Sequence, residues 1–120
     1  MSLLAIRTRT TVAGPVMELT GELDYGSSSQ VRDALPRLTL EPGRQLVVDL
    51  SGITFCDSSG ITALLAARNH ALAARADIVL ATVPGHISRV FTVVGLDQVF
   101  TMHPTAEAAE AAWTPPAPGP

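Results

Sequence analysis

Residues 47–67 read VVDLSGITFCDSSGITALLAA, and strand, turn and helix signals follow one another inside that stretch. Leu46, Val47, Val48, Asp49 and Leu50 make a nearly continuous apolar run, the pattern of a parallel strand covered on both faces. Asp57, Ser58, Ser59 and Gly60 come next, with side-chain oxygens suited to the free N–H groups of a helix start. Ile61, Leu64, Leu65 and Leu72 then recur at helical spacing through an alanine-rich stretch to about residue 74. A strand delivering its chain into a capped helix is the unit from which layered α/β domains are built.

Upstream, Leu3, Leu4 and Ile6 and then Val12, Val16, Met17 and Leu19 make two short runs separated by Ala13, Gly14 and Pro15, which predicts an opening antiparallel hairpin. After Gly21-Glu22-Leu23-Asp24, Ser27, Ser28 and Ser29 are read as capping and linker residues before a first helix carrying Val31, Ala34, Leu35 and Leu38. Pro36 makes that helix short or kinked. Downstream, Ile78, Val79, Leu80 and Val83 predict a strand, and Pro84 opens a helix bearing Ile87, Val90, Phe91 and Val94 with Gly95 at its end. Val99, Phe100 and Met102 suggest a short last strand, and Thr105 caps a helix that ends near Trp113. The expectation is an α/β fold: a mixed sheet opening with a hairpin, then alternating strands and helices, with about four helices packed on it. Residues 1–113 form the domain and 114–120, where four of the last six residues are proline, an extended disordered tail.

The chain has 120 residues, enough for one core. Its 17 alanines and 4% aromatic content leave Leu, Ile and Val to build that core. Eight arginines are spread singly under a net charge of -3, which argues against a nucleic-acid surface. Lysine is absent altogether, and with it go a phosphate-loop lysine, a Schiff-base lysine and the lysine of a response-regulator acidic pocket. Cys56 is the single cysteine, so an internal disulfide and a cysteine-rich zinc site are excluded and a reducing compartment is expected. No apolar stretch spans a bilayer and no signal-peptide core opens the chain, so the expected location is cytoplasmic, without membrane contact.

The strand at 47–50, the segment Ser51-Gly52-Ile53-Thr54-Phe55, the tetrapeptide Asp57-Ser58-Ser59-Gly60 and the upstream Gly21-Glu22-Leu23-Asp24 together resemble the STAS family, in particular the bacterial anti-sigma factor antagonists. The order of elements from about residue 3 to 113 agrees with it. The resemblance implies a monomeric binding module, not an enzyme. Such a module binds an anti-sigma factor that is itself a serine kinase, frees its sigma factor, and is switched off by phosphorylation of the first serine of the signature, here Ser58. A PP2C-type phosphatase reverses the modification. Asp24, Asp57, Ser59 and Gly60 are the implied partner-binding and switch region; no cofactor, catalytic residue, metal ligand or direct nucleic-acid contact is implied. Family members also serve as scaffolds in stress-signalling complexes without a phosphorylation cycle, and as tails of anion transporters; a stand-alone chain without spans fits the small antagonist.

Physical chemistry supports the choice of position. A phosphate at a helix N-terminus lies near unpaired N–H groups and is tolerated by the fold. Two added charges beside the Asp57 carboxylate repel it by ~1 to 5 kcal/mol, depending on the effective dielectric, enough to release a partner from a desolvated interface. Gly60, lacking a side chain, would let a kinase backbone approach. The plainer readings are that Asp57, Ser58 and Ser59 are alternative helix caps, with the Ser59 hydroxyl supporting the cap, and that Asp24 is a turn residue. Asp49 reads as a structural acceptor, Cys56 as a small buried hydrophobe, and His70, His86 and His103 as solvent-exposed. A Ser-His-Asp hydrolase is disfavoured, since neither serine sits in a Gly-x-Ser-x-Gly elbow.

Overall fold

A computed structural model describes residues 3–116. Five strands form one sheet in the order β1 (Leu4–Thr11), β2 (Gly14–Leu23), β3 (Gln45–Cys56), β4 (Asp77–Ala81) and β5 (Thr101–His103). β1 and β2 are the antiparallel hairpin, and every later pairing is parallel. The helices are α1 (Ser28–Ala34), α2 (Ser58–Ala73), α3 (Gly85–Val93) and α4 (Ala106–Ala112), with 3-10 turns at Leu35–Arg37 and Leu96–Gln98. This is the expected mixed α/β sheet with four helices packed on it.

Alternation along β3 explains why both faces of the sheet need cover. Leu46, Val48 and Leu50 join Met17, Leu19, Leu23 and Leu80 in the main core, where they meet Val31 and Leu35 at the first helix, Ala63, Leu64 and Ala67 of α2, and Ile87 and Phe91 of α3. Val47 points the other way, with Val16, Val79 and Ala81, onto Ala106 and Ala109 of α4. A strand apolar at consecutive positions is thus a strand buried between two layers.

Several readings are corrected. Alanine is a core residue here: Ala63, Ala67 and Ala71 form the buried stripe of α2 while Leu72 is half-exposed, so the helix sits close to the sheet on small side chains. Phe91 and Met17 are also among the fully buried side chains. β3 runs on past Leu50 to Cys56, because β2 keeps pairing with it through Gly21↔Ile53 and Leu23↔Cys56 after two register irregularities. Pro36 does end the first helix early; it opens the 3-10 turn at Leu35–Arg37. Gly95, at φ +82, closes α3 as read, and Thr105 Oγ1 accepts from the Ala108 N–H at 2.9 Å. Asp49 is the acceptor expected, taking the Ser51 N–H at 2.9 Å. His86 is exposed, but His70 and His103 are half-buried.

Candidate functional site

The ends of β2 and β3 lie side by side, and each delivers its chain into a helix. Asp57 caps the second of these. Its backbone is extended, its Oδ1 accepts from the Gly60 N–H at 3.0 Å, and its carbonyl accepts the Ile61 N–H to begin α2. Its other oxygen, Oδ2, accepts from the Tyr25 N–H at 3.2 Å, 32 residues away in sequence. The Asp57 N–H donates in turn to the Leu23 carbonyl. One aspartate therefore ties the start of α2 to the loop that leaves β2.

Asp24 shapes that loop from its own side. Its Oδ1 accepts from the backbone N–H groups of Gly26 at 3.0 Å and Ser27 at 3.2 Å, an Asx-type turn. Ser27 does not cap α1 with its side chain: the buried hydroxyl donates to the Glu22 carbonyl at 2.6 Å and accepts from the Asp24 N–H at 3.0 Å. The serine cluster is thus in part a buried staple across the turn.

Gly60 is buried under the end of β2. A Cβ there would run into the Leu23 carbonyl and lie 2.8 Å from Cys56 Sγ. The missing side chain serves close packing inside the domain, which corrects the idea that it opens a path for a visiting backbone. Ser59 is half-buried, and its hydroxyl makes no hydrogen bond among the described residues, so it does not support the cap. It lines an open depression between α1 and α2 with Tyr25, Arg32 and Thr62.

Ser58 is exposed on the first turn of α2. Its carbonyl accepts from Thr62 Oγ1 at 3.0 Å, while its hydroxyl has no partner among the described residues. Since Asp57 supplies the cap, the Ser58 hydroxyl is left uncommitted. No histidine hydrogen-bonds to either serine among the described residues. Nor does any group of three or more His, Cys, Asp or Glu side chains there stand in metal-binding arrangement.

Cys56 is half-buried, and burial first, the Asp57 charge second, push its thiol up to about 11. It stays protonated at neutral pH and is a packing residue. Sequence reasoning gave no role to Tyr25, and none to Phe55 beyond its place in the signature segment; they are 86% and 50% exposed. It also missed the contact of His86 Nε2 with the Thr54 carbonyl at 3.1 Å, which joins the start of α3 to the end of β3. The available signal was that two of the five aromatic residues flank the two acidic turns.

Comparison with known proteins agrees with this architecture. The profile of the family described as "Mlab, STAS domain" matches residues 6–103. A STAS-domain-containing protein of Pseudomonas aeruginosa (strain UCBPP-PA14) is 33% identical over 84 residues, which cover 70% of this chain and 82% of the relative. An anti-sigma-factor antagonist STAS protein of Planctomyces limnophilus has the same fold, with a TM-score of 0.78 at 20% identity, over 91% of this chain and 97% of the other. So does the Bacillus cell-fate determinant SpoIIAA in its phosphorylated form, with a TM-score of 0.60 at 20% identity, over 89% and 98%. A sulfate transporter family protein of Wolinella succinogenes shares it too, with a TM-score of 0.74 at 13% identity, over 86% of each chain. With a profile match across most of its length and a relative at this identity, the chain belongs to the STAS-domain family.

Proposed function

We propose that this protein is an anti-sigma factor antagonist whose binding face is built from the first turn of α2 and the loop that follows β2, and whose switch is phosphorylation of Ser58. The observation that carries the reading is the division of labour between neighbours: Asp57 caps the helix, and the Ser58 hydroxyl beside it is exposed and uncommitted. A phosphate added there breaks no hydrogen bond of the fold. It places about two negative charges beside a carboxylate that already holds the Gly60 and Tyr25 N–H groups, so its cost falls on whatever docks over the turn.

On this reading the partner is an anti-sigma factor serine kinase, a PP2C-type phosphatase resets the switch, and the exposed Tyr25 and Phe55 are the anchors for the kinase surface. Asp24 holds the loop that carries Tyr25. The domain acts as a substrate and a binder in the cytoplasm, and the phosphoryl chemistry belongs to its partners. No helix among the described residues is long and apolar enough to cross a membrane.

The test is capture of the kinase from native cytosol on immobilised protein, incubation with ATP and magnesium, and mass-spectrometric mapping. Phosphate is expected on Ser58 and in Ser59→Ala, and absent from Ser58→Ala, which retains binding. Ser58→Asp is expected to weaken binding, though less than phosphate does. Phosphate on Ser59 alone, or Ser58→Asp binding as tightly as the unmodified protein, would overturn the assignment. Binding to a partner with no phosphate transfer would identify a STAS scaffold without a phosphorylation cycle.

A further inference from the structure

β1 is one of the two edge strands of the sheet, β5 the other. β1 pairs with β2 from Leu4↔Gly21 to Thr11↔Gly14 and, among the described residues, has no strand on its other side. In an antiparallel ladder alternate residues turn both backbone groups toward the same neighbour. The Glu22 N–H donates to the Leu3 carbonyl, which sets the phase: Leu3, Ala5, Arg7 and Arg9 bond toward β2. Leu4, Ile6, Thr8 and Thr10 turn outward. The Leu4 carbonyl is met by Gln30 Nε2 at 3.4 Å, while the outward groups of Ile6, Thr8 and Thr10 find no protein partner among the described residues.

The two faces of this edge differ in chemistry. On the helix side a groove runs along β1 between Ile6 and the residues Gln30, Ala34, Arg37 and Leu38, with Ile6, Ala34 and Leu38 packed on the core beneath it and Asp33 at its rim. On the other side Arg7 and Arg9 project. Arg9 pairs with Glu18 at 3.4 Å, whereas Arg7 has no ion-pair partner among the described residues.

We propose that β1 is a docking edge for an extended segment of another protein in which apolar and acidic residues alternate. The outward N–H and C=O groups supply the ladder for an added strand. Because side chains alternate across a strand, one set of the guest's residues enters the groove beside Ile6 and the other meets Arg7 and Arg9. A second copy of this chain is a poor occupant, since β1 paired with itself sets arginines against arginines. Pro115 and Pro116 are equally unsuited, because proline cannot donate to a ladder. The proposal is independent of the Ser58 switch.

The probe is a short, end-blocked peptide of alternating valine and glutamate, with its valine–lysine counterpart as the control. Amide hydrogen exchange read by NMR on the full chain is expected to slow at Ile6, Thr8 and Thr10 with the acidic peptide, and not with the basic one. Arg7→Glu is expected to weaken binding about tenfold at low salt. Thr8→Pro removes an outward N–H and leaves the bonds to β2, so it is expected to abolish binding with an unchanged circular dichroism spectrum; should that variant unfold, Arg7→Glu decides alone. Equal binding of the basic peptide, or no protection by either, would overturn the proposal. Protection that rises with protein concentration and no peptide would replace it with self-pairing.

Discussion

Asp57 serves two parts of the chain at once, through Oδ1 to Gly60 and through Oδ2 to Tyr25. Asp57→Ala removes both bonds and is expected to lower the unfolding free energy by ~1–3 kcal/mol in urea denaturation. Asp57→Asn has one carbonyl oxygen for two donors and is expected to fall in between. Gly60→Ala is expected to cost ~1–3 kcal/mol on its own, since the new methyl has the Leu23 carbonyl in its way and backbone cannot swing aside. Next door, Cys56 binds its proton up to about pH 11 in the folded protein against 9.0 for an ordinary thiol, burial being the main cause. The sign follows from linkage: the folded state holds a proton that the unfolded state has released, so this contribution is intact below pH 9.0 and is lost as pH rises toward 11. Stability is expected to fall across that window less steeply in Cys56→Ala, as read by melts in alkaline buffer. Alkylation of the native thiol at pH 8 is expected to lag that of the urea-unfolded chain.

At the scale of elements, α3 shows how local rules and surroundings divide the work. Glycine begins and follows this helix, yet the two glycines do different things. Gly85 starts it with nothing near a prospective Cβ and no positive φ, so Gly85→Ala is expected to stabilise by ~0.4–1 kcal/mol. Gly95 stands in equally open space but at φ +82, and Gly95→Ala is expected to destabilise by ~1–2 kcal/mol. Thermal melts of the pair that move in the same direction would refute this account. Gly95 was legible in the sequence because a left-handed stop is a local requirement. The end of β3 was not: the apolar run stops at Leu50, yet the strand passes on through Ser51 and Gly52 to Cys56 because β2 supplies partners on its flank.

For the molecule as a whole, the second face of the sheet depends on one short helix and its anchor. The α4 layer is held by Gln45, whose buried Nε2 donates to the Ala109 carbonyl at 3.0 Å, and by Trp113, whose Nε1 donates to the Gly43 carbonyl at 3.1 Å under the Arg44 guanidinium, 5.3 Å from the ring centre. Trp113→Ala is expected to lower Tm by more than about 5 °C, and deletion of residues 114–120 by less, the difference being roughly the 1 kcal/mol scale for a chain of this size. A larger loss on truncation would show that the proline-rich segment is part of the domain; Pro116 lies against Gly43, and residues 117–120 lie outside the described residues. The order of elements, the capped start of α2 and the short first helix were determined by the sequence itself, because strand alternation, helical spacing, caps and proline act between residues a few positions apart. Tertiary structure alone decided which serine of the signature is exposed, that Gly60 is spent on packing, that alanines build the α2 interface, and that Tyr25 hangs on Asp57. Those outcomes depend on the parallel pairing of β2 with β3, which brings together residues more than 30 positions apart and leaves no local trace in either segment.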